Sequence, residues 1–167
     1  MYDSWDDDLD FTISDGDQYV LFASNQTMFA LPSTEVIEIV EFPPITTIAM
    51  ANSAITGVAN IRGNIIAIID ISAILWDAST TITPHTSVII VRLKHEEEYL
   101  LVGLIVDEIL EVDTFNPEHF WERPPFGFKI DKKYISSIAQ YKENYLMVLD
   151  LKHLIDIEKL AEPKGKR

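Results

Sequence analysis

The chain has no cysteine, only six glycines, and 13 basic residues against 27 acidic ones. Without cysteine there can be no disulfide and no thiolate metal ligand, and the composition suits a reducing compartment. Phosphate-cradling glycine loops are missing, so nucleotide binding is not expected. The net charge of −14 argues against nucleic acid or anionic lipid as the main partner, because holding phosphates takes clustered Lys and Arg. No apolar run approaches the ~18 residues that cross a bilayer. The opening MYDSWDDDLD is the opposite of a signal peptide, so a soluble, unprocessed, cytoplasmic protein is the expectation.

Catalytic patterns are equally scarce. His85, His95, His119 and His153 lie far apart with no HExxH or other ligand spacing, and no serine sits in a G-x-S-x-G elbow. Neither a metal nor a cofactor is implied. The aspartates bunched before residue 17 lack the glycine and distal glutamate of a calcium loop and read as a solvated tail. With no constellation for covalent chemistry, binding to other proteins is the default function.

What the chain does have is a 47% hydrophobic composition over 167 residues, enough for one domain that buries about two thirds of its unfolded surface. The organising stretch is Ile55 to Trp76. Its run Ile65-Ile66-Ala67-Ile68-Ile69 is short, β-branched and bounded by Gly63-Asn64 and Asp70, which predicts a strand buried on both sides. Asp70 is placed to cap a short helix through Leu75. The same pattern returns about 80 residues on, at Ile135 to Ile155. Arg62 then matches Lys142, Asn64 matches Asn144, Asp70 matches Asp150, and Ile74-Leu75 match Leu154-Ile155.

Two copies predict one domain of two similar halves. Strands are expected at 19–23 and 28–31 (joined by a four-residue turn), at 36–40, 87–93 and 99–106, and at 109–112. Residues 114–127 read as loop, and one C-terminal helix is expected over about 151–160. The sum is an all-β architecture of two small barrels. Its organisation would be an acidic tail over 1–17, a single domain over 18–160 with the seam between halves near 77–86, and a basic tail over 161–167.

Paired aspartates in a duplicated β protein also raise an acid dyad of the aspartic-protease type. That dyad needs small, flexible followers, whereas Ile71-Ser72 and Leu151-Lys152 continue into helix, so two helix caps are the better account. A third class, a β-barrel small-ligand carrier, would use Trp5, Trp76 and Trp121 to line a cavity.

At Gly57-Val58-Ala59-Asn60-Ile61-Arg62-Gly63 the chain resembles the CheW family of chemotaxis coupling proteins, whose signature G-x-x-N-L-R-G precedes an apolar strand ending in Asp-Leu. Val36-x-Glu38-Ile39, Val102-Gly103-Leu104-Ile105-Val106-Asp107 and Leu149-Asp150-Leu151-x-x-Leu154 continue the resemblance over roughly residues 18 to 157. It implies two five-stranded SH3-like barrels with short helices, around a hydrophobic seam. It also implies a non-enzymatic adaptor between chemoreceptor tips and the regulatory domain of the histidine kinase CheA, recruited to membrane-associated receptor arrays. Some relatives serve twitching motility instead, which would make this the coupling protein of a type IV pilus system.

By the same resemblance Arg62 is a partner-contact arginine and Glu38 an acidic position near it. Val36 and Gly57 match positions tied to kinase or receptor binding, and Val88, Ile109 and Val112 match apolar positions lining a receptor-helix groove. Read from the residues alone, the four valine and isoleucine positions could be core, Gly57 could relieve a crowded backbone, and Arg62 could close a turn against Glu38. The chain departs from the family at Asn52 and Ala67, where prolines are common, at Ser137, where glycine is common, and over 116–128.

Overall fold

The computed structural model describes residues 17–49, 51–122 and 129–161. The acidic run before residue 17, the basic run after residue 161 and the Pro-rich stretch 123–128 lie outside the described residues. Strands β1 (Asp17–Ser24) and β2 (Thr27–Pro32) form a hairpin. A 3-10 turn at Ser33–Glu35 leads into β3 (Val36–Glu41), then β4 (Ile55–Ile61), β5 (Asn64–Asp70) and helix α1 (Ile71–Leu75). Beyond a connection at 76–86 come β6 (Ser87–His95), β7 (Glu98–Val106), β8 (Glu108–Phe115), β9 (Phe120–Trp121), β10 (Ile135–Tyr141) and β11 (Asn144–Leu149). Two short helices, α2 (Leu151–Leu154) and α3 (Ile157–Leu160), follow.

Local chemistry explains these boundaries. Asn25 and Gln26 adopt φ of 52° and 63°, so the first hairpin turns through two left-handed residues while Ser24 and Thr27 stay paired. Arg62 and Gly63, at 53° and 87°, do the same between β4 and β5. Such turns twist with the strands they join. Asp70 accepts from the Ser72 N–H and Asp150 from the His153 N–H, each capping the helix after its strand. The expected single C-terminal helix is two, because extended Asp156 caps a new turn through the Lys159 N–H. The expected loop over 114–127 is also corrected: β8 runs through Phe115, and Phe120–Trp121 pair with Ala139 and Ile138.

The strands make two mixed sheets, in the orders β3-β6-β7-β5-β4 and β8-β1-β2-β11-β10-β9. The orders are equivalent position by position. In each, a parallel pairing joins the strand before the helix to a visiting hairpin: β5 with β7 (Ala67 opposite Val102) and β11 with β2 (Met147 opposite Phe29). In each, the chain beyond the first edge strand also returns to the last, by the Thr46–Val58 bridge on β4 and by β9 on β10. Each sheet thereby curls back on itself as a barrel.

The sequence repeats are therefore β1–β5 with α1, and β6–β11 with α2, meeting at 77–86. The barrels do not respect that boundary. Hairpin β1–β2 of the first repeat completes the barrel of the second, and β6–β7 of the second completes the barrel of the first. The connection at 77–86 separates the repeats along the chain and leads from α1 into β6. The crossings between sheets lie at residues 33–35 and at Asp107.

Three clusters of buried side chains follow from this exchange. Ala59, Ile61, Ile66, Ile68, Val88, Ile90 and Ile105 fill the first barrel. Leu21, Ala30, Phe115, Ala139, Tyr141, Leu146 and Val148 fill the second. Between them lies a larger seam built from β1, β2, β5, β6, β7 and the helices, with Phe22 stacked on Phe29 at 5.8 Å. The stretch expected to be buried on both sides is buried at Ile66, Ile68 and Ile69, with Ala67 half-buried between them. Ile65 is 67% exposed, because it sits at the hairpin tip, before β7 begins to cover β5 at Ala67.

Candidate docking surfaces

Arg62 stands at the left-handed corner between β4 and β5, and its side chain reaches across to β3. Nε lies 2.9 and 3.2 Å from the Glu38 oxygens Oε1 and Oε2, and Nη2 lies 3.1 Å from Oε2. This is a two-pronged guanidinium–carboxylate fork. Hydrogen bonding from Arg62 holds the Glu38 carboxyl below its usual range. Strands β3 and β4 are the two edges of their sheet, so the fork closes the first barrel. Yet the Arg62 side chain remains 76% exposed against 25% for Glu38. The turn-closing reading and the partner-facing reading are compatible: the fork fixes the direction of a guanidinium whose remaining N–H groups face solvent.

The other sequence-predicted residues scatter. Gly57 is a point of close approach. A Cβ there would stand 2.2 Å from the Thr46 carbonyl oxygen, where Thr46 and Val58 exchange two backbone hydrogen bonds of 2.8 Å. Val36 and Ile109 are half-buried against the central seam. Val112, opposite Val20 on edge strand β8, is 52% exposed. Val88 is fully buried inside the first barrel, with Ile90 and Ile68 around it. It cannot line a groove with Ile109 and Val112; the alternation of β6 points it to the opposite face from the seam residues Ile89 and Val91.

Two features escaped the sequence reading. The fork has a counterpart in the second barrel, where Lys142 Nζ lies 3.7 Å from Glu111 and the Tyr141 hydroxyl donates to the same carboxylate. Lys142 could be found from the 80-residue repeat, but Glu111 could not. Its repeat runs at a different offset, Ile109-Leu110-Glu111-Val112 matching Val36-Ile37-Glu38-Ile39. Both edge strands carry a register shift just before the glutamate, leaving Ile37 and Leu110 unopposed. Such bulges bend an edge away from further pairing. The resulting exposed apolar residues are Ile37 and Ile39 on one barrel, and Leu110 and Val112 on the other.

The two aspartates do not form a dyad. Asp70 takes its hydrogen bonds from Ser72 and from Thr80, whose hydroxyl donates at 2.6 Å, while Asp150 pairs with His153 Nδ1 at 2.8 Å. The tryptophans are separated as well. Trp76 packs on Phe29 in the seam and Trp121 lies half exposed beside Tyr145, while Trp5 lies outside the described residues.

Glu35, in the turn between β2 and β3, keeps Oε1 buried with no hydrogen-bond partner among the described residues. Burial, reinforced by the charge of Asp150, pushes its carboxyl above the usual value. The folded state therefore holds that proton more tightly than the unfolded chain, so this group favours folding at low pH and opposes it as pH rises through the raised value. Glu35→Gln is expected to raise the urea midpoint at pH 7, the gain shrinking as pH falls towards 4.5. A gain that is the same at both pH values would show that ionisation is not its source.

The comparisons agree with this architecture. The CheW-like domain family matches residues 18–159. Chemotaxis protein CheW of Klebsiella aerogenes is 25% identical over 146 residues, covering 87% of this chain and 86% of that protein. Protein PilI of Pseudomonas aeruginosa is 29% identical over 104 residues, 62% of this chain and 56% of its own length. The crystal structure of the scaffolding protein TtCheW from Thermoanaerobacter tengcongensis superposes with a TM-score of 0.75 at 26% identity, covering 90% of this chain and 96% of that one. A doubled barrel about an apolar seam, a signature ending in Arg62-Gly63 and a family match over nearly the whole described chain lead to one assignment: the chain belongs to the CheW family of chemotaxis coupling proteins.

Proposed function

We propose that this protein is a non-catalytic adaptor that couples the cytoplasmic tips of methyl-accepting chemoreceptors to the regulatory domain of the histidine kinase CheA. It would work in the cytoplasm, on membrane-associated receptor arrays. The observation that carries the reading is the Arg62 turn: an exposed guanidinium aimed by Glu38, beside a bulged edge strand that offers Ile37 and Ile39 to solvent. Arginine set among apolar residues on a rigid element is the composition of an interface anchor. A receptor helix would lay its apolar stripe along such exposed aliphatics, the helix-in-groove mode of recognition. The likeness to PilI favours a second reading, in which the same surface serves a type IV pilus chemosensory system.

Arg62→Ala is expected to leave the unfolding transition cooperative and to weaken binding to a CheA regulatory domain or a receptor signalling fragment roughly 30-fold. Titration calorimetry with each partner measures it. Unchanged affinity for both would remove Arg62 from the interface, and failure of the unsubstituted chain to bind either partner would remove the adaptor reading.

A further inference from the structure

On a chain of net charge −14, five basic side chains of the described residues gather around one cleft. A cleft of about 900 Å³ opens between the end of β6, helices α1 to α3 and the turn before β10. Arg92, Lys94, Lys133, Lys152 and Lys159 line it, five of the 13 lysines and arginines. Lys94, Lys152 and Lys159 have no ion-pair partner among the described residues, whereas Lys133 reaches Asp131 at 4.0 Å.

Four carboxylates also line the cleft, against the five cations. Glu96 faces His95, Asp156 caps α3, and Glu35 is pushed towards its neutral form by burial. The fourth is Glu158. Between the charges the walls are apolar, with Ala73, Ile74, Leu93, Ile157 and Leu160.

The segment ahead of β1 has the complementary composition. Residues 1–16 contain six aspartates (Asp3, Asp6, Asp7, Asp8, Asp10 and Asp15) and no lysine or arginine. Their apolar residues are not scattered as in a purely solvating tail: Leu9, Phe11 and Ile13 alternate with Asp10, Thr12 and Ser14, and Trp5 precedes the densest run of charge. Alternation of this kind places apolar groups on one side of an extended segment and polar ones on the other. The root of the segment is also close to the cleft. Tyr19 pairs with Pro32, and the turn that starts there carries Glu35, which lines the cleft. Sixteen extended residues reach about 50 Å, enough to span a barrel of this size.

We propose that the cleft is a binding site for an acidic, apolar-alternating peptide and that its occupant is this chain's own residues 3–15. The tether matters, because a linked segment meets its site at an effective concentration in the millimolar range even where the free peptide binds weakly. Docked there, the aspartates cover the cations that line the cleft, so an acidic segment of another protein must displace them to reach it.

The test compares the full chain with one lacking residues 2–16, following backbone amide resonances of residues 92–96 and 151–160. Differences confined to these residues are expected in 50 mM salt. They should shrink in 1 M salt, where the Debye length is about 3 Å. They should vanish in a Lys94→Glu, Lys152→Glu, Lys159→Glu variant of the full chain, which changes three exposed side chains and leaves the core alone. In the full chain, Trp5 fluorescence is expected to shift to shorter wavelength, and the charge-reversed variant should lose the shift. Identical cleft resonances with and without residues 2–16 would overturn the proposal. So would binding of a free 1–16 peptide to the shortened chain while the full chain's cleft remains open, since the site would then serve other proteins. Neither result bears on the Arg62 surface, which lies on the first barrel's closing edge.

Discussion

Residues 1–81 expressed alone are expected to stay unfolded, residues 82–167 likewise, and the two fragments mixed are expected to rebuild the fold. The reason is the exchange of hairpins between the repeats. Fragment 1–81 would hold β3, β4 and β5 without the β6 and β7 that cover them, and a β1–β2 hairpin whose partners β8 and β11 are on the other fragment. That hairpin alone buries Leu21, Phe22, Phe29 and Leu31 completely. At about 2 kcal/mol for each large side chain taken from water, those four supply roughly 8 kcal/mol, comparable to the whole net stability of an ordinary domain. Neither half keeps a closed barrel or the seam. Circular dichroism and urea unfolding of each fragment, and of the mixture, measure this. A cooperative transition in either fragment by itself would show that a barrel can be completed within one repeat and that the exchange is not required.

The second large effect is expected at Gly57. Alanine there would bring a methyl group to 2.2 Å from the Thr46 carbonyl oxygen and 2.7 Å from Ile45 Cγ2, and the first of these is backbone that cannot rotate away. Strand β4 and the segment after β3 must separate, losing both Thr46–Val58 hydrogen bonds and opening the first barrel on its closing side. A destabilisation of about 3 kcal/mol is expected, at the upper end of ordinary single substitutions. The outcome also decides what the position does. If Gly57→Ala unfolds at the same urea concentration as the unsubstituted chain but loses a partner, the glycine belongs to an interface, and the packing account given for it is wrong.

The equivalent position in the second barrel shows how far the repeat can be trusted. Ser137 stands where Gly57 does, and both follow a register shift at the start of their strands. A glycine is required where Thr46 crosses; at the second site β9 pairs with Ile138 and Ala139, and a Cβ is tolerated. The repeats differ here because a different segment crosses each strand, Thr46 over β4 and β9 beside β10. The repeat is legible at its turns and caps, where Asn64 matches Asn144 and Asp70 matches Asp150, while the barrel interiors keep apolar character, Ala59, Ile61, Ile66 and Ile68 in one against Ala139, Tyr141, Leu146 and Val148 in the other.

The candidate site was legible in part. Arg62 and Glu38 stand 24 residues apart, their types and places in a motif offer an ion pair that closes a turn, and the fork forms that pair. Val88 misled because a strand buried on both faces shows no alternation: Val88, Ile89, Ile90 and Val91 are all apolar, and nothing in that run says which face each takes. The basic cleft was invisible for another reason. Its cations come from β6, α2, α3 and the turn before β10, and no window of sequence holds more than a few of them.

The amino-acid order by itself determined most strand positions, the capped corners after β5 and β11 and the existence of two repeats, because these follow from periods of two residues and from side chains that bond within three residues of themselves. Which hairpin completes which barrel was decided only in three dimensions. Every hairpin here offers an apolar face, and pairing with the near or the distant repeat satisfies the same pattern. In the exchanged arrangement the large shared seam buries Phe22, Phe29, Ile89 and Leu104 together.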